Sequence, residues 1–259
     1  MLILLTNDDG IYAPGLRALE DELRQIAEVR VVAPATEQSG VGHSITFLRP
    51  LVPKEVYDQN DRLRGWAVDG SPADCVKLGI FEFCQRPPDI VVSGINGGLN
   101  AGINVLYSGT VAAAIEGAFF GITSIACSLE FHEHAKYRAA AKMCRGIIEQ
   151  ILLKKGPEPV LYNLNIPTAA THREQNELKV VPMGVSRYGE HFAKGVDPKG
   201  RTYYWATNDP PPRPEGHETD ITAITKGYLT LTPLQYNMTR HATLAEMEHW
   251  KFTVPVIEQ

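Results

Sequence analysis

Two adjacent carboxylates near the start of the chain are the side chains best suited to chemistry. Asp8 and Asp9 belong to the stretch 6–10, which directly follows an apolar run, residues 1–5, and directly precedes an amphipathic helical pattern. Burying two carboxylates at the end of a strand is costly unless a positive charge lies beside them. A hard divalent metal ion is the simplest candidate. Taken alone, Asp8-Asp9-Gly10 favours a polar turn with an Asx cap, and the position after the first strand together with the possible partner residues favours a functional site instead.

Two other loops can bring oxygen ligands to these carboxylates. In a doubly wound parallel sheet, ligands bind beyond the carboxyl ends of the strands, at the switch point in strand order. Residues 7–10, 34–40 and 94–100 follow three predicted strands and would meet at that edge. They would supply two carboxylates, a hydroxyl and an amide carbonyl, from Asp8, Asp9, Ser39 and Asn96. This set is typical of Mg²⁺ or Mn²⁺ and lacks the His and Cys ligands of zinc, so we predict one divalent metal ion.

A glycine-rich segment predicts a site for a phosphate group. Residues 93–121 are rich in glycine and asparagine and pass into a helical pattern near Ser108. Glycines allow a close approach of backbone amides to a ligand, and free N–H groups at a helix start favour an anion. A simple capped helix after a flexible loop is the alternative. The predicted phosphate-binding residues are Asn96, Gly97, Ser108, Gly109 and Thr110.

The same segment disfavours two other nucleotide-binding classes. It does not match GxGxxG and follows the predicted strand at 89–93 instead of the first strand, which argues against a nicotinamide cofactor. The chain also lacks a GxxxxGK[ST] loop, which argues against a nucleoside-triphosphate motor.

The elements that must position these residues form an α/β pattern. Apolar runs of strand length alternate with helical patterns up to residue 165, and such runs indicate a parallel sheet that is covered on both faces. We therefore predict a Rossmann-like, mostly parallel core over residues 1–165. The predicted strands are residues 2–6, 29–33, 89–93 and 123–127, and the longer predicted helices are residues 15–27 and 134–155.

Two segments depart from this alternation. Residues 44–68 alternate in polarity and carry charges, which predicts a protruding β-arm. Residues 166–259 form a β-rich C-terminal part, with strands expected at 178–181, 202–206 and 221–232 and a proline-rich extended loop at 209–214.

Composition and charge limit the classes of partner that the protein is expected to bind. The formal net charge of −5 over 259 residues gives no long-range attraction for duplex nucleic acid. No apolar run approaches the ~20 residues of a membrane span, so we expect no membrane partner. The four cysteines contain no CxxC pair, and no basic-then-apolar leader precedes the first strand. A cytoplasmic protein with reduced thiols is the expectation.

The motifs together resemble the SurE family of stationary-phase survival proteins. The matching stretches occur in order along nearly the whole chain, at residues 6–10, 39–40 with 44–46, 70–76, 88–96, 107–111, 163–167 and 227–234. The resemblance implies a metal-dependent 5′/3′-nucleotidase that hydrolyses nucleoside monophosphates to nucleoside and phosphate. It places the metal ligands at the four positions already selected by topology. Asn104 departs from the Asp expected in many relatives and bears on substrate preference.

The resemblance also implies a homodimer or homotetramer formed through exchanged C-terminal segments, a role that residues 166–259 could serve. In the expected reaction, Asp8 orients or deprotonates the attacking water, Asp9 mainly holds the metal, and the helix start binds the non-bridging phosphate oxygens. An aspartyl-phosphate mechanism would need an acid two positions after Asp8, where the chain has Gly10. A nucleotide-binding regulatory protein without turnover remains the alternative function.

Overall fold

The computed structural model describes residues 1–186, 191–207 and 216–255. Its strands are β1 (Leu2–Thr6), β2 (Glu28–Pro34), β3 (Pro53–Tyr57), β4 (Leu63–Val68), β5 (Ile90–Gly97), β6 (Ser124–Leu129), β7 (Leu161–Ile166), β8 (Leu178–Val180), β9 (Phe192–Val196), β10 (Thr202–Ala206) and β11 (Leu229–Leu234). Its helices are α1 (Pro14–Leu23), α2 (Pro72–Leu78), α3 (Gly109–Phe119), α4 (Tyr137–Lys154), α5 (Asp220–Thr225) and α6 (His241–Met247). Short helical turns follow α2 and lie at residues 102–106 and 168–172.

A nine-stranded sheet forms the centre of the fold, in the order β3-β4-β2-β1-β5-β6-β7-β11-β8. Its pairings are parallel except for β3 with β4 and β7 with β11. The strand β1 is buried along its whole length because it has covered neighbours on both sides and helices on both faces. The predicted α/β class with a mostly parallel, Rossmann-like sheet is confirmed.

The helices cover the two faces of this sheet. Helices α1 and α4 pack over the face that carries Ile3 and Leu5, whereas α2 and α3 pack over the face that carries Leu4. Helix α1 ends at Leu23, earlier than the predicted residue 27, because the next amides form tight bonds to carbonyls three residues back, such as Gln25 to Glu22. Among the helices of the described ranges, none combines the length and apolar character that a bilayer crossing requires.

The segment 44–68 corrects one detail of the prediction. Strands β3 and β4 form an antiparallel hairpin, but β4 also pairs in parallel with β2, so the hairpin continues the main sheet at its edge instead of protruding. Two contacts hold it there. A Cβ at Gly65 would lie 2.3 Å from the carbonyl oxygen of Val31, so only glycine allows this approach. The Arg64 guanidinium, which is buried, forms an ion pair of 2.7 Å with Glu20 on α1.

The C-terminal part contributes to both sheets. Strand β11 lies between β7 and β8 in the main sheet, so strands from both sides of residue 165 complete it; the division of the chain at that residue stays a prediction. Strands β9 and β10 form a separate hairpin with exposed aromatic side chains. Residues 221–225 are helical, not extended, because Thr219 and Thr222 form a capping box. The proline-rich loop predicted at 209–214 lies outside the described residues.

Candidate metal and phosphate site

A cleft of about 250 Å³ opens beyond the carboxyl ends of β1, β2 and β5. The structure brings all four predicted metal ligands to its walls, together with three of the five predicted phosphate-binding residues, of which Asn96 belongs to both sets. Its lining residues are Asp8, Asp9, Glu37, Ser39, Gly40, Asn96, Gly97, Leu99, Asn100, Asn104, Tyr107 and Ser108. The two remaining predicted phosphate-binding residues, Gly109 and Thr110, contact Asp8 from the start of α3.

The cleft carries negative charge without a protein cation. Three of its lining side chains are carboxylates, and among the described residues that line it there is no Lys, Arg or His. Burial raises the pKa of Asp8 from 3.8 to about 6, and the charge of Asp9 adds to the rise. Burial also raises the pKa of Asp9, with a further contribution from Glu37. The lining is rich in oxygen atoms and lacks a protein cation among its described residues, and this donor set fits a hard cation.

Asp8 sits against the first turn of α3. The Thr110 hydroxyl donates a hydrogen bond to Oδ1 of Asp8, and Thr110 is fully buried. A Cβ at Gly109 would lie 2.9 Å from Cβ of Asp8, so glycine is needed for this close packing. Ser108 caps the helix, because its Oγ accepts the amide of Val111 at 3.1 Å. The positive end of the helix therefore faces the Asp8 carboxylate, and the Thr110 hydroxyl holds that carboxylate instead of facing the cleft.

Asp9 is held by the end of β5. This strand extends beyond the predicted residue 93, and its pairing with β6 shifts register between Ser93 and Asn96, an irregularity that re-aims side chains at the strand end. The amide of Gly97 donates to Oδ2 of Asp9 at 3.2 Å. Asn96 Nδ2 donates to the carbonyl of Gly98 at 2.7 Å, which fixes the amide so that Oδ1 is the atom available for a metal. Gly97, predicted to bind phosphate, thus also orients Asp9.

Ser39 lies on an exposed loop that follows β2. Its hydroxyl donates to Oε1 of Glu37 at 2.5 Å. On one side, the amide of Gln38 donates to the carbonyl of Asp8 at 2.8 Å. On the other side, His43 Nε2 lies 2.7 Å from Oε2 of Glu116 on α3. The loop is therefore fastened both to the carboxylate turn and to the helix that begins behind it.

Sequence reasoning missed Asn100 as part of this site. Asn100 is buried at the back of the cleft, and its Nδ2 lies 2.9 Å from Oγ of Ser128 and 3.4 Å from Oγ1 of Thr110. Its backbone is hydrogen-bonded to the side chains of Asn163 and Asn165 on β7. A signal existed in the sequence: two asparagines separated by one residue fall on the same face of an otherwise apolar strand, where each must find a partner.

The fold and the cleft define an α/β protein with an oxygen-lined acidic site at the strand ends, and comparisons with known proteins place it in a family. A family model described as "Survival protein SurE" matches residues 3–190. A protein from Rhodopirellula baltica named 5′-nucleotidase SurE is 57% identical over 251 residues, which cover 96% of this chain and 98% of that protein. A protein of the same name from Heliobacterium modesticaldum is 42% identical over 250 residues, with 96% and 92% covered.

A comparison with solved structures gives the same family as the sequence comparisons. The crystal structure of a SurE protein from Aquifex aeolicus matches with a TM-score of 0.82 and 38% identity, over 96% of this chain and 99% of that chain. The chain therefore belongs to the SurE family, which confirms the resemblance that its motifs indicated.

Proposed function

We propose that this protein is a divalent-metal-dependent phosphomonoesterase that hydrolyses nucleoside monophosphates to nucleoside and phosphate. The observation that carries the proposal is the cleft in which three carboxylates meet the start of a helix without a protein cation. The nucleotidase names of the relatives from Rhodopirellula baltica and Heliobacterium modesticaldum support a 5′-nucleotide as substrate. Action on 3′-nucleotides is part of the same proposal and rests on the shared terminal phosphate.

Four residues would hold one Mg²⁺ or Mn²⁺ ion: Asp8, Asp9, Ser39 and Asn96. When bound, the ion supplies the positive charge that the cleft lacks and polarises a phosphoryl oxygen. The protein keeps its own ligands in place before the ion arrives, since Thr110 holds the Asp8 carboxylate and the Gly97 amide holds that of Asp9. Fixed ligands lower the reorganisation that catalysis requires.

The chain's own groups account for the remaining steps. Asp8 accepts a proton from the water that attacks phosphorus, and its carboxylate is held in place for that role by the Thr110 hydroxyl. The Ser108 hydroxyl and the Gly109 amide donate to the non-bridging oxygens. The bond between phosphorus and the nucleoside oxygen breaks, and that oxygen leaves with the electron pair and takes a proton from solvent.

A phosphate-release assay tests this proposal. Purified protein is treated with EDTA, supplied with Mn²⁺ or Mg²⁺, and presented with 5′- and 3′-nucleoside monophosphates. We expect release only with added metal, and a fall of 100-fold or more for Asp8→Asn. Asp58→Asn is the matched control, because Asp58 lies in the exposed turn between β3 and β4. Nucleotide binding without phosphate release would refute the proposal and favour the non-catalytic regulatory protein.

We further propose a homodimer or homotetramer formed through the C-terminal part, residues 166–259. Support comes from large apolar side chains that are exposed in this part of the described chain, among them Phe192, Tyr204, Trp205, Trp250 and Phe252. Light scattering tests the assembly, and Trp205→Glu should lower the measured mass. A cytoplasmic location belongs to the same proposal, because all four cysteines are free thiols and three of them are buried.

A further inference from the structure

We propose that Asn163 and Asn165 on β7 are positioning residues for the metal and phosphate site. They act at a distance from the cleft, through the loop residue Asn100 and then through Thr110, on the carboxylate of Asp8. This inference rests on the proposed function, since it concerns the geometry of a carboxylate that would bind the metal.

The link begins with a double hydrogen bond between a side chain and the backbone. Oδ1 of Asn165 accepts the amide of Asn100 at 2.8 Å, and Nδ2 of Asn165 donates to the carbonyl of Asn100 at 3.1 Å. Nδ2 of Asn163 donates to the same carbonyl at 2.7 Å. Both asparagines are fully buried. Their side-chain amides satisfy the backbone amide and carbonyl of Asn100 in the way that the backbone of a neighbouring strand would.

The link continues from Asn100 to the carboxylate. The Nδ2 group of Asn100 lies 2.9 Å from the Ser128 hydroxyl and 3.4 Å from Oγ1 of Thr110. Thr110 in turn donates its hydroxyl proton to Oδ1 of Asp8. A displacement of the Asn100 backbone would therefore be passed to the orientation of Asp8 within two side-chain contacts. Partners of this kind hold metal ligands in the conformation that binds.

The residues opposite the two asparagines provide a control for their packing. In the antiparallel register, Thr230 lies opposite Asn165 and Thr232 lies opposite Asn163, so the four residues share one face of the sheet. The hydroxyls of both threonines are buried and have no hydrogen-bond partner in the described part of the chain. This face thus holds buried polar atoms that have no partner in the described chain, including Oδ1 of Asn163, whereas Nδ2 of Asn163 and both polar atoms of Asn165 converge on Asn100.

Binding of Mn²⁺ alone, followed by the free-Mn²⁺ signal in electron paramagnetic resonance, tests the proposal without reference to turnover. Asn165→Leu removes two hydrogen bonds to Asn100, Asn163→Leu removes one, and Thr232→Val is the matched control on the same face. We expect Mn²⁺ to dissociate from Asn165→Leu with a constant about 10 to 100 times larger than from the wild type. Asn163→Leu should fall in between, and Thr232→Val should match the wild type. Circular dichroism at the assay temperature selects folded protein.

Each outcome decides the proposal. Folded Asn165→Leu with wild-type Mn²⁺ affinity overturns it, and so does an equal loss in Thr232→Val, because the effect would then follow packing instead of the contacts to Asn100. If Asn165→Leu does not fold, Asn163→Leu decides in the same way. Wild-type protein that binds Mn²⁺ but releases no phosphate from AMP refutes the proposed function alone. Wild-type protein that binds no divalent ion overturns both.

Discussion

Replacing Asp8 by Asn should stabilise the metal-free protein while abolishing its response to metal. The pKa of Asp8 is raised from 3.8 to about 6, chiefly by burial. The folded state therefore binds this proton more tightly than the unfolded state does. The stability that results is present below pH about 4, is lost as the pH rises from about 4 to about 6, and stays lost at higher pH. Asparagine has no such titration and can still accept the Thr110 hydroxyl.

The magnitude follows from the two pKa values. At about 1.4 kcal/mol for each tenfold change in proton affinity, ionised Asp8 destabilises the metal-free fold by about 3 kcal/mol at pH 7.5. At pH 4.5 the penalty is about 1 kcal/mol, because most of the folded molecules keep the proton. Asp8→Asn should therefore exceed the wild type in free energy of unfolding by these amounts, as an upper estimate for a mostly buried group.

Urea unfolding in EDTA at the two pH values measures the difference. Added Mn²⁺ at a concentration 100 times its dissociation constant should stabilise the wild type by about 2.7 kcal/mol and leave the variant unchanged. Asp58→Asn provides a control of opposite sign, since hydrogen bonds from the amides of Arg62 and Asn60 lower the pKa of Asp58. A lower free energy of unfolding for metal-free Asp8→Asn than for the wild type at pH 7.5 would refute the reasoning. The attraction between the helix start and the Asp8 carboxylate would then outweigh the cost of burying that carboxylate.

Two further substitutions test the close packing at Asp8 and the buried ion pair that holds the edge hairpin. Gly109→Ala should lower kcat/KM by about tenfold or more, because the new Cβ would lie 2.9 Å from Cβ of Asp8. Gly146→Ala is the control variant. It should keep wild-type kinetics, because the space at its Cβ is open. Arg64→Met should lower the free energy of unfolding by about 1.5–3 kcal/mol, measured in urea, because the buried Glu20 loses its 2.7 Å partner and keeps only Arg24 at 3.0 Å. Wild-type values in either variant would contradict the corresponding contact.

The sequence predicted the central fold well because its signals are local. Fully buried parallel strands read as continuous apolar runs, and β1 has the predicted bounds. Helix starts carry their own caps, as the capping box of Ser71 and Asp74 at α2 shows. The edge hairpin was harder to predict, since its placement depends on contacts such as Arg64 with Glu20, which are 44 residues apart. Local propensity carries no information about such a contact.

Prediction from the sequence met the same limit at the candidate site. Topology alone could bring Asp8, Asp9, Ser39 and Asn96 to one edge of the sheet, and the structure places all four on one cleft. What a pattern could not show is which hydrogen bond each group makes. The sequence predicts Thr110 and Gly97 as phosphate-binding residues, and in the structure the Thr110 hydroxyl and the Gly97 amide each contact a carboxylate. Their partners lie 102 and 88 residues away, so only the folded chain pairs them.

The insertion of β11 between β7 and β8 has a consequence for synthesis of the protein. A ribosome that has completed β7 has already produced every residue expected to touch the metal, yet one edge of that strand must wait for β11. The roughly 60 residues in between take about 3–12 s to translate at 5–20 residues per second. Throughout that interval the backbone of β7 is an open edge to which a foreign strand could add. A messenger RNA truncated in this region would yield a chain that has every residue expected to bind the metal but lacks a strand of the central sheet.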